Sequence, residues 1–144
     1  MKKVEIFTDG ACKGNPGPGG WGAILRYNGT KKEISGFSAK STNNQMELTA
    51  VIESLKELTQ SCQIVLTTDS QYVKNGIETW IYNWKKNGWK TAKKKPVKNK
   101  ALWENLDKLI SKHDVEWQWI RGHSGHTENE RADELANLAI ERQI

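Results

Sequence analysis

Two apolar segments of this chain end in the same way, and this repetition constrains the fold more than any other feature. Val4–Phe7 leads through Thr8 to Asp9, and Ile64–Leu66 leads through two threonines to Asp69. Buried strands of this kind place the acids at their carboxyl ends, where open α/β sheets bind ligands. Two carboxylates held side by side need a cation between them. For either aspartate taken alone, a turn residue or a helix N-cap is the alternative.

The size and composition of the chain predict its domain organisation and location. Its 144 residues are expected to form a single domain, 1–144. The mean hydropathy is −0.74, and no apolar run approaches the roughly 20 residues of a membrane-spanning helix. The amino terminus leads directly into a strand, without the apolar region of a signal peptide. Cys12 and Cys62 form neither a disulfide framework nor a zinc motif. We therefore expect a cytoplasmic protein with no membrane partner.

The positive charge is concentrated in one segment. The formal net charge is +5, yet eight lysines and no acid lie between Thr79 and Trp103. The rest of the chain carries 14 basic and 17 acidic residues, a net charge of −3. A localised cationic patch is typical of a protein that binds a polyanion, whereas a surface charged only for solubility mixes the two signs. The sequence therefore predicts a basic protrusion at about residues 80–100.

The segment after the first strand predicts an antiparallel meander. Trp21–Tyr27 is followed by Asn28-Gly29, a strong hairpin signal, and Glu33–Ser38 forms the next strand. The glycine-rich stretch Cys12–Gly20 is predicted to be a turn-forming loop. It lacks the GK[ST] ending of a P-loop and leads into a strand rather than a helix, so we reject a phosphate cradle there.

Capping boxes mark the starts of two helices. Thr42–Gln45 opens a helix that runs to about Leu58, and Thr127–Glu130 opens another that runs to about Ile140. Because a helix connects the meander to the strand Ile64–Thr68, this strand is expected to lie parallel to the first. Asp9 and Asp69 would then emerge at the same edge of the sheet.

The remaining patterns complete an α/β fold. Ser70–Trp80 and Lys100–Ser111 are predicted to be helical, and Val115–Ile120 alternates as a last strand. The expected architecture is a five-stranded mixed sheet, made of an antiparallel meander plus two parallel strands and flanked by helices.

Tryptophans alternate with lysines in the basic segment. Trp80 and Trp84 are four residues apart and so share one helical face. Aromatic side chains among lysines suit stacking and backbone tracking on nucleic acid. The alternative is that the tryptophans anchor a protruding helix and loop, and we expect both roles, with at least one tryptophan structural.

Four acids stand out: Asp9, Glu47, Asp69 and Asp133. Glu47 lies in line with core residues of the first helix, although a glutamate at an exposed edge would also fit. Hard oxygen ligands without cysteine favour Mg²⁺ or Mn²⁺ over zinc. Such a cluster suits two ions about 3.5–4 Å apart, one activating water and one stabilising the leaving oxygen.

A set of motifs spans nearly the whole chain: Thr8-Asp9-Gly10, Gly14-Asn15-Pro16-Gly17, Thr42-Asn43-Asn44 with Met46-Glu47-Leu48, Thr68-Asp69-Ser70-Gln71-Tyr72, Trp84-Lys85-Lys86, and Gly122-His123 with Asn129 to Leu135. In content and order they resemble bacterial type 1 ribonuclease H. The resemblance implies the ribonuclease H-like fold, which agrees with the architecture above. It also implies endonucleolytic cleavage of the RNA strand of an RNA–DNA hybrid, leaving 5′-phosphate and 3′-hydroxyl ends.

The resemblance also implies roles for the residues of the site. The four acids would hold two Mg²⁺ ions, with Mn²⁺ as a substitute, and Asp9 and Asp69 are best placed to serve both. His123, which could otherwise be a plain surface histidine, would assist proton movement and product release. Asn129 would orient the site from one turn before Asp133.

Substrate contacts are implied in the same way. Amide side chains can read the 2′-hydroxyls that distinguish RNA from DNA. The residues that match hybrid-binding positions of the family, including the basic protrusion, are Cys12, Asn15, Lys40, Thr42, Asn43, Asn44, Gln71, Trp80, Lys85 and Lys86. Lys40 stands where many relatives have arginine, which weakens bidentate phosphate binding, and Ala11 replaces a commoner serine. We expect a monomer.

Two other functions compete with a hybrid ribonuclease. One is a DNA-cutting nuclease of the integrase or resolvase kind, against which the His123 loop, the Asn43-Asn44 pair and the lysine-rich protrusion argue. The other is a non-catalytic hybrid-binding module. The four acids argue against it, because a pure binder gains nothing from negative charges that face phosphates.

Overall fold

The computed structural model of the protein describes residues 1–122 and 125–143. The elements are, in chain order, β1 (Lys2–Cys12), β2 (Gly17–Tyr27), β3 (Thr30–Ser41), α1 (Asn43–Lys56), β4 (Cys62–Thr68), α2 (Gln71–Asn75), a π-helical turn (Gly76–Trp80), α3 (Ile81–Lys86), α4 (Lys100–Ile110), β5 (Asp114–Trp119) and α5 (Thr127–Gln143). Within these described residues, no helix combines the length and the apolar composition that a membrane crossing requires.

The strands form one mixed sheet in the order β3-β2-β1-β4-β5. β2 runs antiparallel to β1 and β3, and β4 runs parallel to β1 and β5. The predicted antiparallel meander and two parallel strands are confirmed. The register pairs Phe7 of β1 with Thr67 of β4. Asp9 and Asp69, each two residues further on, therefore lie side by side where β4 ends and β1 continues beside β2 alone.

Helices pack on both faces of the sheet. On one face, α1 and α4 contribute to the main core, in which Ile6 and Leu48 are completely buried. Successive side chains of a strand point to opposite faces, so Phe7 lies on the other face, where it packs with Ile24 and Leu135 of α5. The two helices that carry predicted site residues, α1 and α5, thus approach β1 from opposite sides.

A glycine of β2 lets α5 come close to the sheet. A β-carbon at Gly22 would lie 2.5 Å from the carbonyl oxygen of Ala132, which is closer than real side chains tolerate. Gly22 is also the partner of Asp9 in the β1–β2 register. The close approach therefore brings Asp133, the residue after Ala132, close to Asp9.

The strands are longer than the sequence pattern predicts. β1 continues to Cys12 and β2 begins at Gly17, so the predicted glycine-rich loop is reduced to residues 13–16. Pairing of Cys12 with Gly19, and of Gly17 with Ser41, explains the difference. Glycine weakens the interior of a strand. Here Gly19 is held extended because it pairs with Cys12 of β1 on one side and with Ser38 of β3 on the other.

The second helical region also extends beyond its predicted end. It passes from α2 through the π-helical turn into α3 and ends at Lys86 rather than near Trp80. The first residues of the basic protrusion are therefore helical. A π-helical turn inside a helix is uncommon and is frequent at functional sites.

The start of α5 differs from the predicted capping box. Thr127 is the first helical residue, and the capping acceptor is one residue earlier, at His126. Nδ1 of His126 accepts a hydrogen bond from the backbone nitrogen of Asn129 at 3.2 Å. Its carbonyl oxygen accepts from the backbone nitrogen of Glu130 at 2.9 Å. The capping box predicted from Thr127 and Glu130 is wrong because the imidazole of His126 takes the place of the threonine hydroxyl.

Candidate active site

The four predicted carboxylates line one open cleft of about 480 Å³ at the carboxyl ends of β1 and β4. They come from β1, α1, the residue after β4, and α5. The alternative reading of Asp69 as a helix N-cap is wrong, because α2 is capped by the side chain of Ser70. The same cleft is lined by Gly10, Asn43, Asn44, Ser70, Gln71, Tyr72 and Gly122.

Asp9 is the most buried of the four acids, with 9% of its surface exposed. Its Oδ1 accepts a hydrogen bond from the backbone nitrogen of Gly10 at 2.9 Å. Burial raises the pKa of Asp9 to about 8, and the negative charges of Asp69 and Asp133 add to this rise. In the metal-free protein the proton is therefore retained near neutral pH.

Glu47 faces the cleft from the second turn of α1. Its Oε1 accepts a hydrogen bond from Nδ2 of Asn43 at 2.7 Å, and its Oε2 accepts from the hydroxyl of Ser70. Burial raises the pKa of Glu47 to about 7, with a further contribution from the charge of Asp69, while the hydrogen bond from Asn43 opposes the rise. The alternative of an exposed-edge glutamate is wrong, since the side chain lines the cleft.

Asp133 is held by a residue that the sequence analysis missed. Nδ2 of Asn137 donates to the Asp133 carbonyl oxygen at 2.9 Å and to its Oδ1 at 3.2 Å. Asn137 follows Asp133 by one helical turn. Side chains four residues apart on a helix are neighbours, so this spacing could have indicated the contact from the sequence. The interaction restrains the carboxylate on the side of α5.

The donor set fits a hard divalent cation. Four carboxylates supply the oxygen ligands that Mg²⁺ and Mn²⁺ prefer. Burial and the neighbouring carboxylates raise the pKa values of Asp9 and Glu47, so a bound cation would favour their ionised forms. Within residues 1–122 and 125–143, however, no three His, Cys, Asp or Glu side chains already stand close enough together to hold an ion. The acids share the cleft without converging on a point, as their mutual repulsion would favour.

The predicted histidine cannot be compared with the structure, because His123 lies outside the described residues. The neighbouring Gly122 lines the cleft, and a β-carbon there would lie 2.9 Å from Oδ2 of Asp69. Gly122 thus lies beside a carboxylate of the site. Asn129 is 4% exposed, and its Oδ1 has no hydrogen-bond partner in the described part of the chain.

The predicted hybrid-binding residues around the start of α1 are brought together. Oδ1 of Asn15 accepts a hydrogen bond from the backbone nitrogen of Asn43 at 3.0 Å. The hydroxyl of Thr42 caps α1 by accepting from the backbone nitrogen of Gln45 at 3.2 Å, which confirms Thr42 as the N-cap. The reciprocal bond of a capping box is not formed, because the Gln45 side chain bonds to Ser41 and Asn99 instead. The thiol of Cys12 donates to the carbonyl oxygen of Gly14 at 2.8 Å. The loop of residues 13–16 and the helix start therefore form one surface beside the cleft.

Lys40 and Gln71 are predicted contacts that come from two other elements. Lys40 is exposed near the end of β3, and Gln71 is the first residue of α2. Asn44 lines the cleft together with Gln71.

The tryptophans of the basic protrusion pack against one another. Ring centroids are 5.7 Å apart for Trp80 and Trp84, and 6.3 Å apart for Trp84 and Trp89. Trp84 also packs against the fully buried Trp103 of α4 at 5.4 Å. These contacts support the structural role for the tryptophan cluster. Trp80 lies at one end of the cluster, where its ring centroid is 5.6 Å from that of Tyr72.

The lysines of the protrusion point into solvent. Lys85 pairs with Asp107 of α4 at 3.4 Å, whereas Lys86 is exposed. Of the eight lysines, seven are exposed and Lys100 is half-buried. The exposed cationic surface therefore consists of Lys85, Lys86, Lys90, Lys93, Lys94, Lys95 and Lys98.

Asn99 is a further residue that the sequence analysis missed. It has a left-handed backbone, with φ of 60°, just before α4. Its Oδ1 accepts from Nε2 of Gln45 at 3.1 Å, and its Nδ2 donates to the hydroxyl of Tyr72 at 3.0 Å. Asn99 thus joins the start of α1 to the protrusion, and no local pattern signalled it.

Comparisons with known proteins show the family of this chain. The RNase H family model matches residues 1–141. The ribonuclease H of Hydrogenovibrio crunogenus is 64% identical over 141 residues, which cover 98% of this chain and 97% of that protein.

Solved structures share the fold. The crystal structure of LC9-RNase H1, a type 1 RNase H with the type 2 active-site motif, has a TM-score of 0.89 at 34% identity and covers 100% of this chain and 74% of that one. LC11-RNase H1, in complex with an RNA/DNA hybrid, has a TM-score of 0.72 at 24% identity and covers 97% of this chain and 98% of that one. Family, sequence and fold thus agree along the whole chain, which belongs to the bacterial type 1 ribonuclease H family of hydrolases that degrade the RNA of RNA–DNA hybrids.

Proposed function

We propose that this chain cuts the RNA strand of RNA–DNA hybrids endonucleolytically with two Mg²⁺ ions, leaving 5′-phosphate and 3′-hydroxyl ends. The observation that carries the proposal is one cleft that combines four carboxylates with the amide side chains of Asn43, Asn44 and Gln71. A cluster of carboxylates repels the phosphates of a phosphodiester substrate. It suits such a substrate only when cations lie between the carboxylates and the phosphate. LC11-RNase H1, which shares the fold, binds such a hybrid.

Asp9, Glu47, Asp69 and Asp133 would hold the metal ions. The family generally uses divalent metal ions, and Mn²⁺ is the expected substitute for Mg²⁺. When bound, the ions lower the pKa of a water and stabilise the charge that develops on the leaving oxygen. Asp9, two residues beyond the last pair of β1 with β4, and Asp69, directly after β4, are the pair best placed to serve both ions.

The residues beside the carboxylates would select RNA over DNA. Asn43, Asn44 and Gln71 offer both donors and acceptors, as recognition of a 2′-hydroxyl requires. Their position in the same cleft as the acids means that the strand they recognise is also the strand presented for cleavage. Cys12 and Asn15 would extend this contact along the loop of residues 13–16.

Other residues would guide the DNA strand and the reaction. Thr42, at the start of the 14-residue helix α1, would seat a phosphate where backbone N–H groups face outward. Trp80, Lys85 and Lys86 would line the path toward the basic protrusion, and Lys40 would contact phosphate from the opposite side. His123 would move a proton and help product release, and Asn129 would support Asp133.

The proposal extends to the state of the protein. Residues 1–144 would act as a single domain and as a monomer, since the cleft draws all four carboxylates from one chain. Cys12 and Cys62 are free thiols, which suits a reducing compartment such as the cytoplasm.

Cleavage of three labelled duplexes tests the proposal. RNA–DNA hybrid, duplex DNA and duplex RNA are each incubated with Mg²⁺ and with EDTA, and the ends of any product are analysed. We expect cutting of the RNA strand of the hybrid alone, only with the metal, giving 5′-phosphate and 3′-hydroxyl ends. Cutting of duplex DNA would favour the integrase or resolvase kind of nuclease. Hybrid binding without cutting would favour a non-catalytic module.

A further inference from the structure

Two donors of different kinds hold the carboxylate of Glu47. Its Oε1 accepts from Nδ2 of Asn43 at 2.7 Å, and its Oε2 accepts from the hydroxyl of Ser70. Asn43 is an exposed residue, whereas Ser70 is 4% exposed. The two donors therefore differ in how freely they can leave Glu47.

Ser70 is fixed in place by its own bonds. Its backbone nitrogen donates to Oγ1 of Thr68 at 3.2 Å, and its side-chain oxygen accepts from the backbone nitrogen of Val73 at 3.1 Å. A hydroxyl has one proton to donate, and because the oxygen accepts from Val73, this proton remains for Glu47. Ser70 thus caps α2 and orients a carboxylate with the same atom.

Asn43 is not fixed in the same way. Its backbone nitrogen is bound to Oδ1 of Asn15 at 3.0 Å, but its side-chain amide lies at the surface of the cleft. An amide group that recognises a 2′-hydroxyl must turn its donors or its acceptor toward the RNA. When Asn43 does so, Oε1 of Glu47 loses its donor, and the bond from Ser70 is the one that remains.

We propose that Ser70 is a positioning residue that holds Glu47 in the cleft while Asn43 exchanges between Glu47 and the hybrid. This inference rests on the proposed function, because it assumes that Glu47 is a metal ligand and that Asn43 contacts the substrate. Glu47 shares the cleft with Asp69, whose charge repels it. Without a fixed donor, the carboxylate would turn away from the other acids and no longer be presented to an ion.

The test measures Mn²⁺ affinity of the hybrid-free protein, by electron paramagnetic resonance of the free ion. Ser70→Gly removes the hydroxyl, yet glycine is a tolerated N-cap and costs only a few tenths of a kcal/mol there. We expect Ser70→Gly to weaken Mn²⁺ binding about tenfold, as loss of a group that orients a ligand does. Ser70→Thr, which keeps the hydroxyl, should bind Mn²⁺ like the wild type.

Two controls separate positioning from helix capping. Ser111→Gly removes a hydroxyl at the end of α4, where it donates to the carbonyl oxygen of Lys108 and does not contact Glu47, so its Mn²⁺ affinity should be unchanged. In a Glu47→Gln background, Ser70→Gly should cause no further loss, because the ligand on which it acts is already gone. Asn43→Ala should weaken Mn²⁺ binding less than Ser70→Gly does, since its donor is exposed.

The outcomes distinguish this inference from the function on which it rests. A wild type that does not bind Mn²⁺ would overturn the proposed metal centre, and the inference with it. Mn²⁺ binding by Ser70→Gly at wild-type affinity would overturn the inference alone, as would an equal loss in the Glu47→Gln background. If Ser70→Gly does not fold, Ser70→Cys replaces it. Its weak thiol donor should reduce Mn²⁺ affinity in the same direction by a smaller factor, and unchanged affinity would count against the inference.

Discussion

The backbone of Gly10 lies directly against Glu47. A β-carbon at residue 10 would come within 2.5 Å of the backbone nitrogen of Glu47 and within 2.9 Å of the β-carbon of Met46. The glycine that follows Asp9 therefore determines how close α1 lies to β1. The carboxylates of Asp9 and Glu47 can therefore lie close together because residue 10 has no side chain.

Gly10→Ala should consequently separate α1 from β1. The clash is with backbone, which cannot turn aside, so we expect a loss of about 1–3 kcal/mol in the free energy of unfolding. Hybrid cleavage should fall by at least tenfold. Urea denaturation and a hybrid-cleavage assay measure the two effects.

Gly29→Ala is the matched control. It lies in the β2–β3 hairpin with φ of +78° and open space around its β-carbon position. It should cost about 1 kcal/mol for the unfavourable backbone alone and leave cleavage intact. A Gly10→Ala variant with wild-type activity would contradict the close packing of α1 on β1.

Asp9→Asn should abolish turnover and stabilise the metal-free protein. The pKa of Asp9 is raised from 3.8 to about 8 in the fold. Between these values the native state keeps a proton that the unfolded state has lost, so the free energy of unfolding of the wild type falls as the pH rises. Asparagine removes this penalty. We expect a melting temperature about 3–6 °C higher at pH 7.5 in EDTA, equivalent to about 1–2 kcal/mol.

Melting curves from pH 4 to pH 8 check the sign of this effect. The difference between Asp9→Asn and the wild type should grow with pH in EDTA and shrink when Mg²⁺ is added to the wild type. A lower melting temperature for the variant at pH 7.5 would contradict a crowded, repulsive cluster. Metal-free binding of the hybrid should not be weakened by the substitution.

The basic protrusion should dominate the salt dependence of hybrid binding. If about half of its lysines contact phosphate, log K should fall with log salt at a slope of about −4 from this segment. Replacing five of them with alanine (Lys85, Lys86, Lys93, Lys94 and Lys95) should flatten the slope. Fluorescence anisotropy of a labelled hybrid in EDTA, at several salt concentrations, measures it.

A second five-lysine variant controls for the change in total charge. Lys2, Lys3, Lys31, Lys32 and Lys56 lie toward the opposite edge of the sheet from the cleft, near the start of β1 and its neighbours. Their replacement with alanine should leave the salt slope nearly unchanged. Equal flattening in both variants would mean that the slope reflects net charge rather than a defined contact.

Asn137→Ala should weaken metal binding without unfolding α5. The substitution removes the donor to Oδ1 of Asp133 and places a strong helix former on a helix. We expect Mn²⁺ affinity to fall by about tenfold, while the melting temperature in EDTA stays the same or rises. Unchanged Mn²⁺ affinity would mean that Asp133 needs no restraint from its own helix.

Local patterns predicted the elements and the strand directions of this fold. Alternating and apolar runs located the strands, and a helix between Ser38 and Ile64 was enough to make β4 parallel to β1. The four acids could be grouped because two of them end parallel strands. Strand lengths could not be predicted at the glycines, since Gly17 and Gly19 are held extended by pairing with distant residues.

Contacts between elements account for what the sequence did not reveal. Ser70 was visible only as a neighbour of Asp69, and its bond to Glu47 depends on how α1 packs beside the start of α2. The role of Asn99 likewise depends on contacts between elements, because its side chain hydrogen-bonds to Gln45 and to Tyr72, both distant in the sequence. His126 was missed as a cap because imidazole is a rare N-cap, so the sequence signal pointed to Thr127 instead.

Anomalous diffraction from crystals soaked in Mn²⁺ with a bound hybrid tests the central claim most directly. We predict two peaks in the cleft, with carboxylate oxygens of Asp9, Glu47, Asp69 and Asp133 about 2.0–2.4 Å from them and the RNA strand facing them. Peaks that lie elsewhere, or a cleft without manganese in the presence of hybrid, would contradict a metal-dependent site built from these four residues.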